Sequence, residues 1–196
     1  MAVTAQGSGT WTDLRGAAVT VTIATPGVFS LTGHGLVAGD AIVFQTTGAL
    51  PTGLTAGTTY FVIAAGLTAN NFEVSTTVGG SAVNTSGTQS GTHTITNVEH
   101  ALLDVAVAGT FTLHVDKNAM ASGDLVELRC YQIVLTGGTR RVVYKTSYAD
   151  AQVADDQIAI SVPISNELTD AGSLRFTLKQ TLGTGRAFPW KVLKYA

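Results

Sequence analysis

The side chains best suited to metal or acid–base chemistry are four histidines, His34, His93, His100 and His114. Metal-ligating histidines are usually two or four positions apart, so that they project from one face of a strand or helix. No two of these four have that spacing, and a metal site would also need a ligating carboxylate close by. We interpret them as loop or strand-surface residues that hydrogen-bond locally, and we predict no metal site.

Carboxylates and nucleophiles give no better candidate for catalysis. The only acidic cluster, Asp155-Asp156 with Asp150, lacks the alternating Asp, Asn and Gly of calcium loops and is typical of a solvated turn. Cys130 lies in mid-strand on an apolar face, where burial makes a thiol inert, and no Gly-x-Ser-x-Gly elbow is present. The sequence therefore predicts no enzyme and no cofactor.

Two glycine-rich segments, residues 136–139 and 183–186, do not open helices and so lack the amide dipoles that hold phosphate. We interpret both as hairpin turns. A Gly-Asp pair also recurs, at Gly39-Asp40 and at Gly123-Asp124, each time between two predicted strands. Either a duplicated module or shared turn chemistry accounts for this recurrence, and the sequence favours turn chemistry.

The last third of the chain is locally basic and carries aromatic residues among its cations. A few Arg, Tyr and Trp side chains supply most of the binding energy of protein interfaces. Acidic residues in the same half balance the cations, which favours an acidic protein surface over nucleic acid as the partner. The predicted partner interface comprises Trp11, Arg140, Arg141, Arg186, Trp190 and Tyr195.

Alternating apolar and polar residues predict strands throughout the chain, and no stretch of a dozen residues keeps a helical period. In the first half the predicted strands are residues 18–23, 28–31, 41–44, 60–63 and 72–75. In the second half they are residues 111–115, 126–134, 141–146, 158–164, 174–178 and 188–192. The predicted fold class is all-β, with two small antiparallel β-modules, the C-terminal one a β-sandwich or jelly roll.

Charge density divides the chain near residue 98. Residues 1–98 hold four charged side chains, and Gly, Ser and Thr fill 42 of the 98 positions, whereas residues 99–196 hold ten Lys or Arg and ten Asp or Glu. Residues 1–17 show little periodicity and contain three glycines, which is typical of an extended arm ordered only against another subunit. We predict that arm, a Thr/Gly-rich β-module over 18–98, and the β-sandwich over 99–196.

Hydropathy and targeting signals restrict the partners and the compartment that the sequence predicts. Charged residues make up only 12% of the chain and the mean hydropathy is +0.29, which predicts that copies or partners cover part of the apolar surface. No apolar run approaches the ~20 residues of a membrane helix, and the N-terminus lacks signal-peptide features. We expect synthesis in a cytosol, no membrane partner, and a homo-oligomer, with a trimer favoured.

Four segments give the first half an unusual order of turns and aromatic residues: GHGLVAGD at 33–40, GALPTGLTAGTTYFVI at 48–63, NFEVS at 71–75 and GTHT at 91–94. From about residue 25 to 96 the sequence resembles a β-module widespread in tailed-phage virion proteins. The resemblance implies a virion or prophage structural component, often found in tail fibres and surface-exposed proteins. Residues 99–196 resemble the C-terminal part of small phage proteins, and the family offers no catalytic residues.

The sequence thus favours a structural component of a tailed-phage virion, made in the host cytoplasm. Its small size favours a head decoration or cement protein whose C-terminal sandwich binds the capsid while the neutral module projects outward. One alternative is a tail or fibre-attachment protein. Another is a carbohydrate-binding module for a host-surface glycan, with Trp11, Tyr60, Trp190 or Tyr195 as a stacking platform. The expected partners are capsid or other virion proteins and copies of the chain, without nucleic acid.

Overall fold

A computed structural model describes residues 2–195, and its regular structure is almost entirely strand. One short 3-10 turn, Ala154–Asp156, accompanies the strands. The strands are β1 (Val3–Thr12), β2 (Ala17–Val21), β3 (Phe29–Ser30), β4 (Ala41–Thr46), β5 (Thr59–Val62), β6 (Asn71–Phe72), β7 (Val74–Ser75), β8 (His93–Val105), β9 (Gly109–Asp116), β10 (Leu125–Gln132), β11 (Arg141–Ala149), β12 (Ile158–Ile160), β13 (Ile164–Asn166), β14 (Leu174–Leu182) and β15 (Ala187–Tyr195).

Contacts along the chain form two compact units. Unit 1 comprises Met1–Thr12 with Ala101–Ala196, and unit 2 comprises Asp13–His100. The pairs β1–β15, β10–β11, β10–β14 and β4–β8 are all antiparallel, so the chain is all-β with antiparallel modules, as the alternation predicts. Within the described part of the chain, no helix is long and apolar enough to span a membrane.

Unit 1 is a β-sandwich. Its first sheet has the order β1-β15-β9-β12, with β13 also paired to β9, and its second sheet has the order β11-β10-β14 followed by the end of β8. Alternate side chains of each strand point between the sheets, because successive residues of a strand face opposite sides. Phe111, Leu113, Leu128, Cys130 and Phe176, all fully buried, form the centre of this core.

The N-terminal segment departs from the predicted arm. Over the described residues, β1 pairs with β15 from Val3↔Tyr195 to Thr12↔Ala187, and so belongs to unit 1. Trp11 is 2% exposed and stacks on Phe188 at 5.7 Å within the same chain. The units therefore divide after residues 12 and 100, instead of after 17 and 98. The physical reason is long-range strand pairing, which local periodicity does not report.

Unit 2 is built on the first half of β8, which pairs with β2 on one side and β4 on the other. β2 continues to β3 and β6, and β4 continues to β5 and β7. Aromatic rings fill its core: Phe29 stacks on Phe44 at 4.7 Å and on Phe72 at 5.3 Å, and Phe44 contacts Tyr60 at 5.6 Å. Apolar burial thus holds a unit whose exposed face is mostly Gly, Ser and Thr.

Three histidines are buried, which corrects the surface interpretation. His34 is 3% exposed, His93 6% and His100 8%. Two of them have partners far away in sequence: His93 Nδ1 is 2.8 Å from Thr46 Oγ1, and His100 Nδ1 is 2.7 Å from Asp40 Oδ2. His34 Nδ1 instead accepts a local hydrogen bond from the Leu36 backbone at 2.9 Å. A buried polar group needs a hydrogen bond, and for His93 and His100 the fold supplies partners that no local pattern reveals.

The structure also tests the two predicted hairpin turns and the predicted extent of the strand over 126–134. Residues 136–139 lie in the β10–β11 hairpin, as predicted, because these strands pair. Residues 183–186 instead connect strands of different sheets, β14 and β15, and so are not a hairpin turn. β10 ends at Gln132, and Val134 is 74% exposed in the loop instead of continuing the apolar face. Cys130 is fully buried, as predicted.

Candidate partner interface

The six residues of the predicted interface are dispersed over unit 1. Trp11 is 2% exposed and lies in the core of unit 1, so its ring is not part of the surface of the single chain. Arg186 is held internally, because its Nε donates to Asp124 Oδ2 at 2.8 Å and its backbone N donates to Gln180 at 3.1 Å. Both residues stabilise the sandwich.

Arg140 and Arg141 lie where the hairpin loop enters β11. The Arg140 guanidinium donates to the Gly172 carbonyl at 2.8 Å and lies 3.8 Å from Asp104 Oδ1. Arg141 opens β11 and is exposed. Arg141 therefore lies in the second sheet and Arg140 in the loop before it, whereas Trp190 and Tyr195 lie on β15 in the first sheet.

The predicted aromatic platform does not assemble. Tyr60 is buried in unit 2, 3% exposed, and its hydroxyl accepts a hydrogen bond from the Thr55 backbone. Trp190 packs at the edge of the unit 1 core, where a Cβ on Gly9 would lie 3.5 Å from its ring. The Tyr195 hydroxyl lies 3.2 Å from the Thr112 hydroxyl. Because each ring lies in a different environment, they form no stacking surface.

A charged layer covers the outward side of the second sheet. The inward residues of β10 are apolar, so Glu127 and Arg129, which lie between them, point outward. On the neighbouring strands, the residues in equivalent positions of the register also point outward. These are Lys145 of β11 and Arg175 and Lys179 of β14. Asp104 joins this layer through its ion pair with Arg175, and Arg140 joins it through its contact with Asp104. We call the whole set the basic face: Arg129, Arg140, Lys145, Arg175 and Lys179 with Asp104 and Glu127.

Two carboxylates organise the cations of the basic face. Asp104 accepts a bidentate pair of bonds from Arg175, at 2.6 and 2.5 Å. Glu127 accepts from Lys145 at 2.5 Å and pairs with Arg129, whose other nitrogen donates to Tyr131 at 3.1 Å. Bidentate and charge-assisted bonds fix side-chain direction as well as charge. The face is therefore an ordered array of charges.

Cations outnumber carboxylates on this face by five to two, a net charge of +3 on a chain whose net charge is −2. Lys179 has no ion-pair partner among residues 2–195 and is only partly buried. Such a concentration of one sign attracts a surface of the opposite sign and speeds its association.

Exposed aliphatic side chains border the basic face. Of the fourteen large hydrophobic residues that are exposed among residues 2–195, eleven belong to unit 1. Val142 and Val143 of β11 are 48% and 46% exposed, and Val134 and Leu135 at the hairpin tip are 74% and 73% exposed. Apolar residues next to ordered charges are what a protein interface combines.

Sequence reasoning missed most of the basic face. The available signal was period-two alternation: Glu127 and Arg129 lie between apolar residues of β10, and Arg175 and Lys179 lie likewise on β14. Alternation places each pair on one side of its own strand. It does not predict that β10 pairs with β14 and so brings the four together.

Unit 2 carries an uncharged groove. A groove of about 450 Å³ opens where β2 leaves β8, and its walls include Thr20, Ser30, Gln89 and Thr92. Gln89 Oε1 lies 3.0 Å from His93 Nε2, and Gln89 Nε2 donates to the Val21 carbonyl at 2.8 Å. These bonds fix the side chain of Gln89 at the wall of the groove.

The acidic cluster also serves the fold. Lys117 is 1% exposed, with its Nζ 2.8 Å from Gln152 Oε1, 3.6 Å from Asp156 and 3.8 Å from the centre of the Tyr148 ring. Asp150 accepts a hydrogen bond from the Gly123 backbone at 2.7 Å. The described residues contain no group of three or more His, Cys, Asp or Glu placed to hold a metal ion.

Comparison with models of known protein families finds no match, and comparison with curated proteins also finds none. Among solved structures, the chain is similar to one described in work on conserved amino acids in the cleft of the C-terminal family 22 carbohydrate-binding module of Clostridium thermocellum Xyn10B. That likeness has 14% sequence identity, a TM-score of 0.29, and covers 85% of this chain and 92% of the other. A TM-score of this size carries no argument about fold or function.

Proposed function

We propose that the protein is a structural component of a tailed-phage virion, a head decoration protein that binds an acidic protein surface through the basic face of unit 1. The observation that carries the proposal is the ordered net charge of +3 beside exposed aliphatic residues. The resemblance of residues 25–96 to a phage β-module supplies the virion context. In this role the protein binds a partner and does not catalyse a reaction.

The distribution of charge supports an orientation in which unit 1 faces the particle. Two of the carboxylates of unit 2, Asp13 and Asp40, are buried, so the surface of this unit is nearly free of charge. A neutral Thr- and Gly-rich surface offers few of the Arg and aromatic anchors on which interfaces depend. Unit 1 therefore faces the particle in this proposal, and unit 2 projects outward.

Protein fits the basic face better than nucleic acid as the partner. Asp104 and Glu127 already bind Arg175, Lys145 and Arg129, so charges of both signs alternate on this face. This pattern suits an acidic protein surface that also carries some cations better than it suits a uniform row of phosphates. Proteins that bind single strands interleave their cations with exposed aromatic rings, on which bases stack. The hydroxyl of Tyr131, an aromatic neighbour of the basic face, is already bonded to Arg129.

The experiment adds purified full-length protein to virions that lack it. The variant Lys179→Glu reverses one charge on the basic face, and Lys191→Glu makes the same change on the outward side of the other sheet. We expect wild type and Lys191→Glu to bind alike and Lys179→Glu to bind about tenfold more weakly, a difference of about 1.4 kcal/mol. Circular dichroism confirms that both variants fold.

Electron microscopy of labelled particles then distinguishes the locations. Many copies over the whole head support decoration, whereas a few copies at one end support a tail or fibre-attachment protein. Equal binding by the two variants would remove the basic face from the proposal. Competition by excess double-stranded DNA at physiological salt would indicate that phosphate, and not an acidic protein, is the preferred partner.

A second candidate function is glycan binding, which the uncharged groove of unit 2 favours. Side-chain amides and hydroxyls, such as those of Gln89 and Thr92, are suited to the hydroxyl groups of a neutral saccharide. A glycan array with wild type and Gln89→Ala tests it, with Gln45→Ala on an exposed site outside the groove as the control. Binding that only Gln89→Ala abolishes would support this function, and an array without hits would remove it.

A further inference from the structure

β1 is a weakly attached edge strand of unit 1. It lies at an edge of the first sheet and, among the described strands, pairs with β15 alone. Eight of its ten residues are exposed, and only Trp11 is buried. Its attachment rests mainly on the hydrogen-bond ladder with β15 and on the buried Trp11. Elements with few buried contacts open at a small fraction of the global free energy.

The contacts of β1 are nevertheless specific. The Trp11 ring is nearly parallel to that of Phe188, with an interplanar angle of 15°. Gly7 leaves space that a side chain would fill, since a Cβ there would lie 3.1 Å from Leu103 Cδ1. The strand thus inserts one indole next to Phe188 and packs closely against Leu103 at Gly7.

The path of the chain separates β1 from the rest of its unit. In the sequence, all of unit 2, residues 13–100, separates β1 from the remainder of unit 1. Immediately after β1, the Leu14 backbone donates to Asn97 Oδ1 at 2.9 Å and the Gly16 backbone donates to the Ile95 carbonyl at 3.0 Å. The hinge is therefore short, at Thr12–Asp13, because the next residues are fixed to unit 2.

We propose that β1 is exchanged between copies of this chain, so that β1 of one copy pairs with β15 of another and its Trp11 completes the core of the other copy. The contacts in the exchanged form are the same as in the single chain, so exchange costs little beyond association. A unit 1 without a β1 would expose Phe188 and an unpaired strand, which drives each copy to accept one. This inference does not depend on the proposed function.

The test uses the register Ser8↔Lys191, in which both side chains are exposed. Full-length Ser8→Cys and Lys191→Cys chains carrying different tags are unfolded together, refolded as a mixture and oxidised. Exchange predicts a disulfide between the two chains, seen on a non-reducing denaturing gel. The native Cys130 is fully buried and does not compete for this bond.

The doubly substituted chain Ser8→Cys/Lys191→Cys provides a second measurement, with Leu125→Cys/Ala149→Cys as its matched control. Leu125 and Ala149 pair within one hairpin, so the control should form only disulfides within a chain. Exchange predicts covalent oligomers from the first chain under conditions in which the control stays monomeric. Failure of the mixed chains to link, or monomers only from the Ser8/Lys191 chain, would overturn the proposal.

Discussion

Asp40 and Asp124 hold equivalent positions in two turns of the same construction. The carboxylate of Asp40 accepts from the Val37 backbone at 2.9 Å, and that of Asp124 accepts from the Ala121 backbone at 2.8 Å. Each Asp backbone N–H also donates to the carbonyl three residues earlier, at 3.1 Å in both turns. The glycines that precede them have φ values of 93° and 85°. The recurrent Gly-Asp pair therefore makes the same kind of turn in both units.

Replacement of Asp124 by Ala should destabilise unit 1 by about 2–3 kcal/mol, because the Arg186 guanidinium and the Ala121 backbone N–H both lose a charged acceptor. Asp124→Asn keeps an acceptor for the backbone and should cost less. Urea unfolding followed by tryptophan fluorescence measures this, since Trp11 and Trp190 both belong to unit 1. Equal costs for the two substitutions would show that Arg186 contributes nothing.

Two glycines of one loop in unit 2 should differ sharply in tolerance to Ala. Gly53 and Gly57 both have positive φ, 105° and 78°, so either substitution strains the backbone by about 1 kcal/mol. A Cβ on Gly53 would also lie 2.1 Å from the Asn84 carbonyl oxygen, whereas Gly57 has open space. We expect Gly53→Ala to destabilise unit 2 by at least about 2 kcal/mol more than Gly57→Ala. Thermal unfolding by circular dichroism compares them, and similar melting temperatures would contradict the contact.

Glu127 should make unit 1 sensitive to acid. Burial by itself raises the pKa of Glu127, but the hydrogen bond from Lys145 and the charge of Arg129 outweigh burial and hold the pKa below its ordinary value of 4.5. A lowered folded-state pKa gives stability that is fully present above about pH 4.5 and is lost as the pH falls through the folded-state value. Urea unfolding at pH 7 and at pH 3 should show a larger loss of stability for wild type than for Glu127→Gln. Lys145→Gln should also reduce the loss, and an unchanged loss in both variants would exclude this linkage.

Cys130 should resist thiol reagents in the native state. Burial raises the pKa of its thiol to about 12, against an ordinary value of 9.0. The raised pKa contributes stability that is present below pH 9 and is lost as the pH rises toward 12. We expect modification only after denaturation, and a cost of about 1–3 kcal/mol for Cys130→Ser if its hydroxyl finds no partner. Rapid labelling of the native protein would contradict this burial.

Much of the fold could be predicted from the sequence, because strand formation leaves a local signal. Apolar residues at every second position predicted segments that overlap all of the strands except β1 and β8. Val126, Leu128 and Cys130 are buried as their spacing requires. The step in charge density predicted a unit boundary within a few residues of the one at 100/101. These inferences hold because the period of two decides which side chains share a face.

Pairing between distant strands could not be predicted in this way. The alternation of β1 is weak, and only the tertiary structure shows that β15 is its partner and that Trp11 lies in the core. The basic face likewise exists because β10 pairs with both β11 and β14, which brings Glu127, Lys145 and Lys179 together. Sequence alone determined the strands and the sides of their residues. Tertiary structure decided which strands became neighbours, since that choice depends on the free energy of the whole core and not on any local segment.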